Sequence, residues 1–155
     1  MLFLCSGNLC RSPIAEGILK KRLREMNIQS VRVASAGTIA LDGEPAAPLA
    51  IKAAAERGVD LSRHRARRLT MKVLKEADLV LGMERAHVRQ ADAILKDEGA
   101  KYRLLSEFGP ARMHGRDIDD PYGAPYEYFI EAYNTIEQCV NSLAEYLVEQ
   151  WSLKG

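Results

Sequence analysis

The sequence predicts an α/β protein: a three-layer αβα arrangement around a four-stranded parallel sheet, with an anion-binding loop after strand one. Three observations lead there. Short apolar runs alternate along the chain with segments of helical periodicity. The run Ala77 to Met83 is broken only by Asp78 and Gly82, as in a strand covered on both faces. A turn-rich loop joins the first run directly to the first helix. Right-handed crossovers then wind such strands into an open sheet whose ligands bind outside the strands' carboxyl ends.

Met1 to Leu4 reads as a buried strand and Cys5 to Arg11 as the loop after it. Ser12 ahead of Pro13 has the form of an N-cap, and Ile14, Ile18, Leu19, Leu23 and Met26 continue at helical spacing. Val31 and Val33 alternate with Arg32 before Ser35, Ala36 and Gly37, which predicts a second strand ending near Thr38. A loop through Gly43 and Pro45 leads to a helix over Ala47 to Glu56, closed by Gly58. Strand three is Ala77 to Met83, followed by a helix over Glu84 to Leu95 and a short fourth strand over Tyr102 to Leu105. The Gly-, Pro- and Asp-rich stretch Ser106 to Ala124 is a loop long enough to expect a function of it. Tyr126, Phe129, Ile130, Tyr133, Ile136, Val140, Leu143, Leu147 and Trp151 then mark one long amphipathic helix against the sheet.

The composition fits one globular domain over residues 1–155, with 47% hydrophobic and 28% charged residues. At this length roughly 70% of the unfolded chain's surface can be buried, so no disulfide or metal staple is needed. With 22 Lys and Arg against 21 Asp and Glu, the net charge of +1 recruits neither nucleic acid nor an anionic membrane, and any anion site must be local. The apolar stretch Met1 to Cys5 is too short for a signal-peptide core, nothing approaches membrane-spanning length, and a cytoplasmic location is expected. Three cysteines, Cys5, Cys10 and Cys139, form an odd set suited to a reducing compartment. His64, His87 and His114 lie far apart and no Cys or His pair has zinc-site spacing, so neither a metal nor another cofactor is expected.

The chemistry concentrates in Cys5-Ser6-Gly7-Asn8-Leu9-Cys10-Arg11-Ser12. A thiol ends a strand, five residues follow, and an Arg stands where a helix begins. Loop amides there turn inward as a nest and the helix dipole adds partial positive charge, so a tetrahedral oxyanion is the natural ligand. Arg11 offers a planar fork for two of its oxygens. Such a field suits a thiolate at Cys5, which can attack phosphorus, while Ser12 can hydrogen-bond the sulfur as it departs. A buried cysteine before an ordinary turn would account for Cys5 alone. It would not account for the spacing to Arg11 and Ser12, every part of which serves one ligand.

On Cys5 to Pro13 (CSGNLCRSP), Asp120 to Tyr122 (DPY), Ser35 to Thr38 (SAGT), Asp78 to Leu81 (DLVL) and the element order, the chain closely resembles the low-molecular-weight protein tyrosine phosphatases over nearly its whole length. The resemblance implies a flavodoxin-like fold with strand order 2-1-3-4 and metal-free hydrolysis of phosphotyrosine in protein substrates through a cysteinyl-phosphate. It implies Cys5, Arg11 and Asp120 as catalytic residues, with phosphate held by the loop Ser6, Gly7, Asn8, Leu9, Cys10, Arg11 and Ser12. The reaction needs one carboxyl that protonates the leaving oxygen and later activates water, and the Asp before Pro121 is that group in the family. Asp117 and Asp119, its rivals, read as solvated loop carboxylates.

A supporting network of Asn8, Ser12, Ser35 and His64 is likewise implied, and these residue types can form one. Arg63, Arg65, Arg67 and Arg68 around His64 read as a solvated basic turn without a catalytic role. The resemblance also implies a reversible Cys5–Cys10 disulfide; packing behind the loop accounts for Cys10 equally well, and Cys139 reads as core or groove lining. Leu9, Leu41 and Tyr122 are the expected walls for an aromatic ring. Leu41 and Gly123 depart from the family pattern, each standing where an aromatic residue is common. Protein-arginine phosphatases share the loop but resemble it with a Thr at the position of Leu9. Arsenate reductases on this fold relay a disulfide through further cysteines, and only Cys139 remains for that. A silent oxyanion-binding module would have no use for Asp120. The expected partner is a phosphoprotein, with no nucleic acid or membrane and self-association no stronger than a weak dimer.

Overall fold

The computed structural model describes residues 1–97 and 101–155. Four strands, β1 (Leu2–Cys5), β2 (Ala34–Gly37), β3 (Val80–Gly82) and β4 (Tyr102–Leu104), form one parallel sheet of order β2-β1-β3-β4. That is the predicted order. Five helices accompany it: α1 (Arg11–Glu25), α2 (Pro48–Ala55), α3 (Met71–Glu76), α4 (Arg85–Ile94) and α5 (Tyr126–Gln150).

β1 is central and buried on both faces. Phe3 and Cys5 enter the larger apolar cluster with α1, α2 and α5, while Leu2 and Leu4 enter a smaller one with Leu69, Leu74 and Ala91. Helices therefore cover both sides, giving three layers. α1 turns Ile14, Ile18, Leu19 and Leu23 inward at helical spacing. It stops at Asn27, whose φ of 57° is left-handed; Asn27 N–H reaches Arg24 O (3.0 Å) and Ile28 N–H reaches Leu23 O (2.8 Å), closing the last turn.

The structure departs from the sequence reading at several boundaries. β2 opens at Ala34, paired with Leu2, so Val31 and Val33 lie ahead of the ladder and pack against the larger cluster. Their alternation reports burial, not pairing. α1 begins at Arg11 with Cys10 as its N-cap, so Ser12 is not the cap, and its hydroxyl is committed elsewhere. β3 is only the central part of the predicted apolar run. α3 was not foreseen; at six residues it is too short for a periodic signal, although the Thr70 hydroxyl caps it by accepting from Val73 N–H at 3.2 Å. The loop from Ser106 to Ala124 holds a short 3-10 turn, Ala111–Met113, and another, Leu105–Phe108, runs into it. Ile118 N–H donates to Met83 O at 2.9 Å and pins this loop to the carboxyl end of β3.

Candidate active site

The chain leaves β1 at Cys5, turns through residues 6–10 and enters α1 at Arg11. The end of β2 braces the turn: Thr38 N–H donates to Cys5 O and Ile39 N–H to Ser6 O, each at 3.0 Å. Gly37 makes this approach possible, because a Cβ there would lie 2.5 Å from Ser6 O and 2.9 Å from Asn8 N. Asn8, with φ at 57°, holds the turn from within. Its amide nitrogen donates to Ser12 Oγ (2.8 Å) and Ser35 Oγ (2.9 Å), and its Oδ1 accepts from Arg67 N–H (2.9 Å). His64 Nε2 donates to Asn8 O at 2.7 Å. The four residues expected to support the loop therefore meet through Asn8.

Proton bookkeeping gives this network a direction. Ser35 accepts from Asn8 and so donates to Glu16 Oε1 at 2.5 Å. Ser12 accepts from Asn8 and lies 2.9 Å from Cys5 Sγ, so its hydrogen is available to the sulfur when that is a thiolate. Asn8 N–H adds a second donor to the sulfur at 3.2 Å. Glu16 was missed, though it lies four residues beyond Ser12 on the same helix. Arg67, read as part of a solvated basic turn, also holds Ser35 O through its Nε at 3.0 Å.

Arg11 is 1% exposed. Its Nη1 donates to Glu84 Oε2 (2.7 Å) and Ile118 O (2.6 Å), its Nη2 lies 3.5 Å from Asp120 Oδ2, and its Nε is buried without a partner. Sequence reading missed Glu84 and its neighbour His87, which together form a reciprocal cap at the start of α4. His87 is buried, and burial followed by the charge of Arg11 lowers its pKa to about 4, so the ring is neutral. Its Nδ1 accepts from Glu84 N–H at 3.0 Å, which puts the proton on Nε2, 2.9 Å from Ser6 Oγ.

Cys5, Ser6, Gly7 and Arg11 line a cleft of about 370 Å³ at the carboxyl end of β1. Leu9, Leu41 and Tyr122 border it, and so does Ile39, which the sequence reading did not name. Asp120 reaches the cleft while its Oδ1 accepts from Tyr122 N–H at 3.1 Å. Asp117 instead accepts from Arg85 N–H at 2.8 Å, and neither it nor Asp119 borders the cleft. Cys10 does border it, as a thiol that burial, then the Asp120 carboxylate, pushes up to about 12. Cys139 is buried in α5 and burial raises it to about 11; it packs under Gly109 in the core. Among the described residues, no three His, Cys, Asp or Glu side chains converge as metal ligands.

The family model of low molecular weight phosphotyrosine protein phosphatases matches residues 1–153. The chain belongs to that family. It is similar to the low molecular weight protein-tyrosine-phosphatase Etp of Escherichia coli K12, at 35% identity over 147 residues, covering 95% of this chain and 93% of that protein. Among solved structures it is similar to Vibrio vulnificus Wzb in complex with benzylphosphonate, at 34% identity and a TM-score of 0.84 over 94% and 97% of the two chains. It is also similar to the YwlE arginine phosphatase of Geobacillus stearothermophilus, at 32% identity and a TM-score of 0.85 over 97% and 94%. Backbone likeness thus spans tyrosine and arginine phosphatases alike.

Proposed function

We propose that this chain is a protein tyrosine phosphatase that hydrolyses aryl phosphomonoesters, phosphotyrosine in proteins foremost, through a cysteinyl-phosphate. The observation that carries the reading is the state of Arg11. Glu84 and Ile118 hold Nη1, Nε has no partner and Nη2 has only the 3.5 Å contact with Asp120 Oδ2, so the Nε and Nη2 edge can turn to a ligand, which is the bidentate geometry for two phosphoryl oxygens. An unpartnered buried nitrogen is costly unless a ligand takes it. Loop amides from Ser6 to Ser12 supply the rest of the cradle.

Within that cradle Cys5 Sγ attacks phosphorus, the bond from phosphorus to the ester oxygen breaks, and Asp120 gives its proton to the departing oxygen. Water then attacks the thiophosphate, Asp120 takes its proton, and Ser12 donates to the sulfur as the phosphorus–sulfur bond breaks. Asn8, Ser35 and His64 hold the loop in shape for both steps. Leu9, Leu41, Tyr122 and Ile39 form an apolar collar suited to a ring, and Leu9 offers no hydroxyl to a guanidinium-linked phosphate. Cys10, a thiol beside the nucleophile, can resolve an oxidised Cys5 as a disulfide, releasing water from the sulfenic acid that a peroxide would form. No described helix is long and apolar enough to cross a membrane, and the three cysteines are free thiols; we assign the phosphatase to the cytoplasm, acting as a monomer or weak dimer.

The decisive experiment is phosphate release from an aryl phosphate in excess chelator at mildly acidic pH. Turnover by the wild-type chain should vanish in Cys5→Ser, which should still bind phosphate or vanadate; turnover surviving that change would overturn the covalent route. Phosphotyrosyl and phosphoarginyl peptides then decide the substrate, with preference expected for the former.

A further inference from the structure

Ser6 borders the cleft, and its hydroxyl has one partner among the described residues, the His87 imidazole. Which of the two donates decides what Ser6 can do. A neutral imidazole carries one proton. With it on Nδ1, Nε2 would be an acceptor and would take the Ser6 hydrogen for itself. Glu84 N–H, 3.0 Å from Nδ1, excludes that form, because two hydrogens cannot share the contact. Nε2 is therefore the donor and Ser6 Oγ the acceptor. The Ser6 hydrogen is left without an acceptor among the described residues, at the edge of a cleft built for oxygen atoms.

We propose, resting on the phosphatase reading, that the Ser6 hydroxyl donates a hydrogen bond to an oxygen of the bound phosphate ester and that His87 is the positioning residue that keeps this hydrogen free. The first turn of α4 then aims both side-chain donors of the cradle. The Glu84 carboxylate holds Arg11 from one side, and the Glu84 backbone N–H fixes the His87 tautomer that turns Ser6 toward the ligand. Neither function is carried by the Cys-to-Arg loop alone.

The test compares Ser6→Ala, His87→Gln, His87→Phe and the Ser6→Ala/His87→Phe pair, using inhibition by inorganic phosphate and kcat/KM on an aryl phosphate, with thermal melts to verify folding. Ser6→Ala should lower kcat/KM about tenfold to a hundredfold, the worth of a hydrogen bond to a charged group. His87→Phe should match it, the pair should be no worse than either single change, and His87→Gln, whose carboxamide N–H can still donate to Ser6, should recover most of the loss. Weaker phosphate inhibition in Ser6→Ala assigns the contact to a non-bridging oxygen, and unchanged inhibition with a raised KM assigns it to the ester oxygen; both support the proposal. Wild-type kcat/KM in Ser6→Ala, or losses that add in the pair, overturns it, and Ser6→Ala settles the matter alone if His87→Phe does not fold. Direct binding of inorganic phosphate, measured by titration calorimetry in the Cys5→Ser background with and without Ser6→Ala, reads the cradle without turnover, so a failure of the Cys5 mechanism stays distinguishable from a failure of the Ser6 donor.

Discussion

The proposed mechanism gives Asp120 the proton that the leaving oxygen takes, so on that reading its weight in the rate depends on how badly the leaving oxygen needs protonation. Asp120→Ala is expected to slow phenyl phosphate by about 10²- to 10⁴-fold and p-nitrophenyl phosphate, whose phenolate leaves unaided, far less. Single-turnover rates on the two esters check this, and equal losses would move the role to another group. His87 makes a different kind of prediction, about stability. Burial first, then Arg11, hold its folded pKa down at about 4, against the raising influence of Glu84, Asp117 and Asp120. Between the unfolded value near 6.5 and about 4, the unfolded chain binds a proton that the folded chain refuses. Stability must then fall as pH falls through that window, by up to on the order of 3 kcal/mol from this group. His87→Gln should flatten that part of a melting-temperature profile, and an unchanged slope would show that other groups set it.

The same arrangement, seen at the level of elements, depends on how closely β2 passes the loop. Gly37→Ala would push a methyl group against Ser6 O and Asn8 N, both backbone atoms that cannot swing aside. The loop must shift, and Gly37→Ala is expected to lose most activity and about 1–3 kcal/mol of stability; near-normal kinetics would mean the loop tolerates displacement. This approach explains what could be read in advance. The loop was legible because Cys5 to Ser12 is contiguous, and the supporting set Asn8, Ser12, Ser35 and His64 followed from a resemblance that spans the chain. Glu84 and His87 were not legible, since their place beside Arg11 and Ser6 exists only once β3 pairs with β1 and delivers the start of α4 to the same edge. From the sequence the pair shows only Glu and His three residues apart at a helix start, which is an ordinary cap. α3 escaped for a simpler reason, its six residues giving no period to count.

For the molecule as a whole, the cleft and its supports draw on three strands and both helical layers: Cys5 at the end of β1 and Arg11 at the start of α1 line it with Asp120 from the loop pinned to β3, while Gly37 of β2 lies against the loop and Glu84 and His87 at the start of α4 hold Arg11 and Ser6. Unfolding scatters all of them, so an anion that binds the cradle binds only the folded chain and must stabilise it by linkage. At a phosphate concentration about 100 times its dissociation constant, the gain is about 2.7 kcal/mol. For a chain of 155 residues each kcal/mol moves the melting temperature by about 2–4 °C. A rise of roughly 5–10 °C is therefore expected, measured in Cys5→Ser so that no turnover intervenes. Arg11→Met in that background keeps much of the buried stem but removes the fork, and the phosphate-dependent rise should disappear with it. Sulfate, with the same tetrahedral shape, should act in the same direction, whereas chloride at equal ionic strength should not, because a net charge of +1 provides no general field for it to screen. An equal rise in chloride, or one that survives Arg11→Met, would locate the effect outside the cradle.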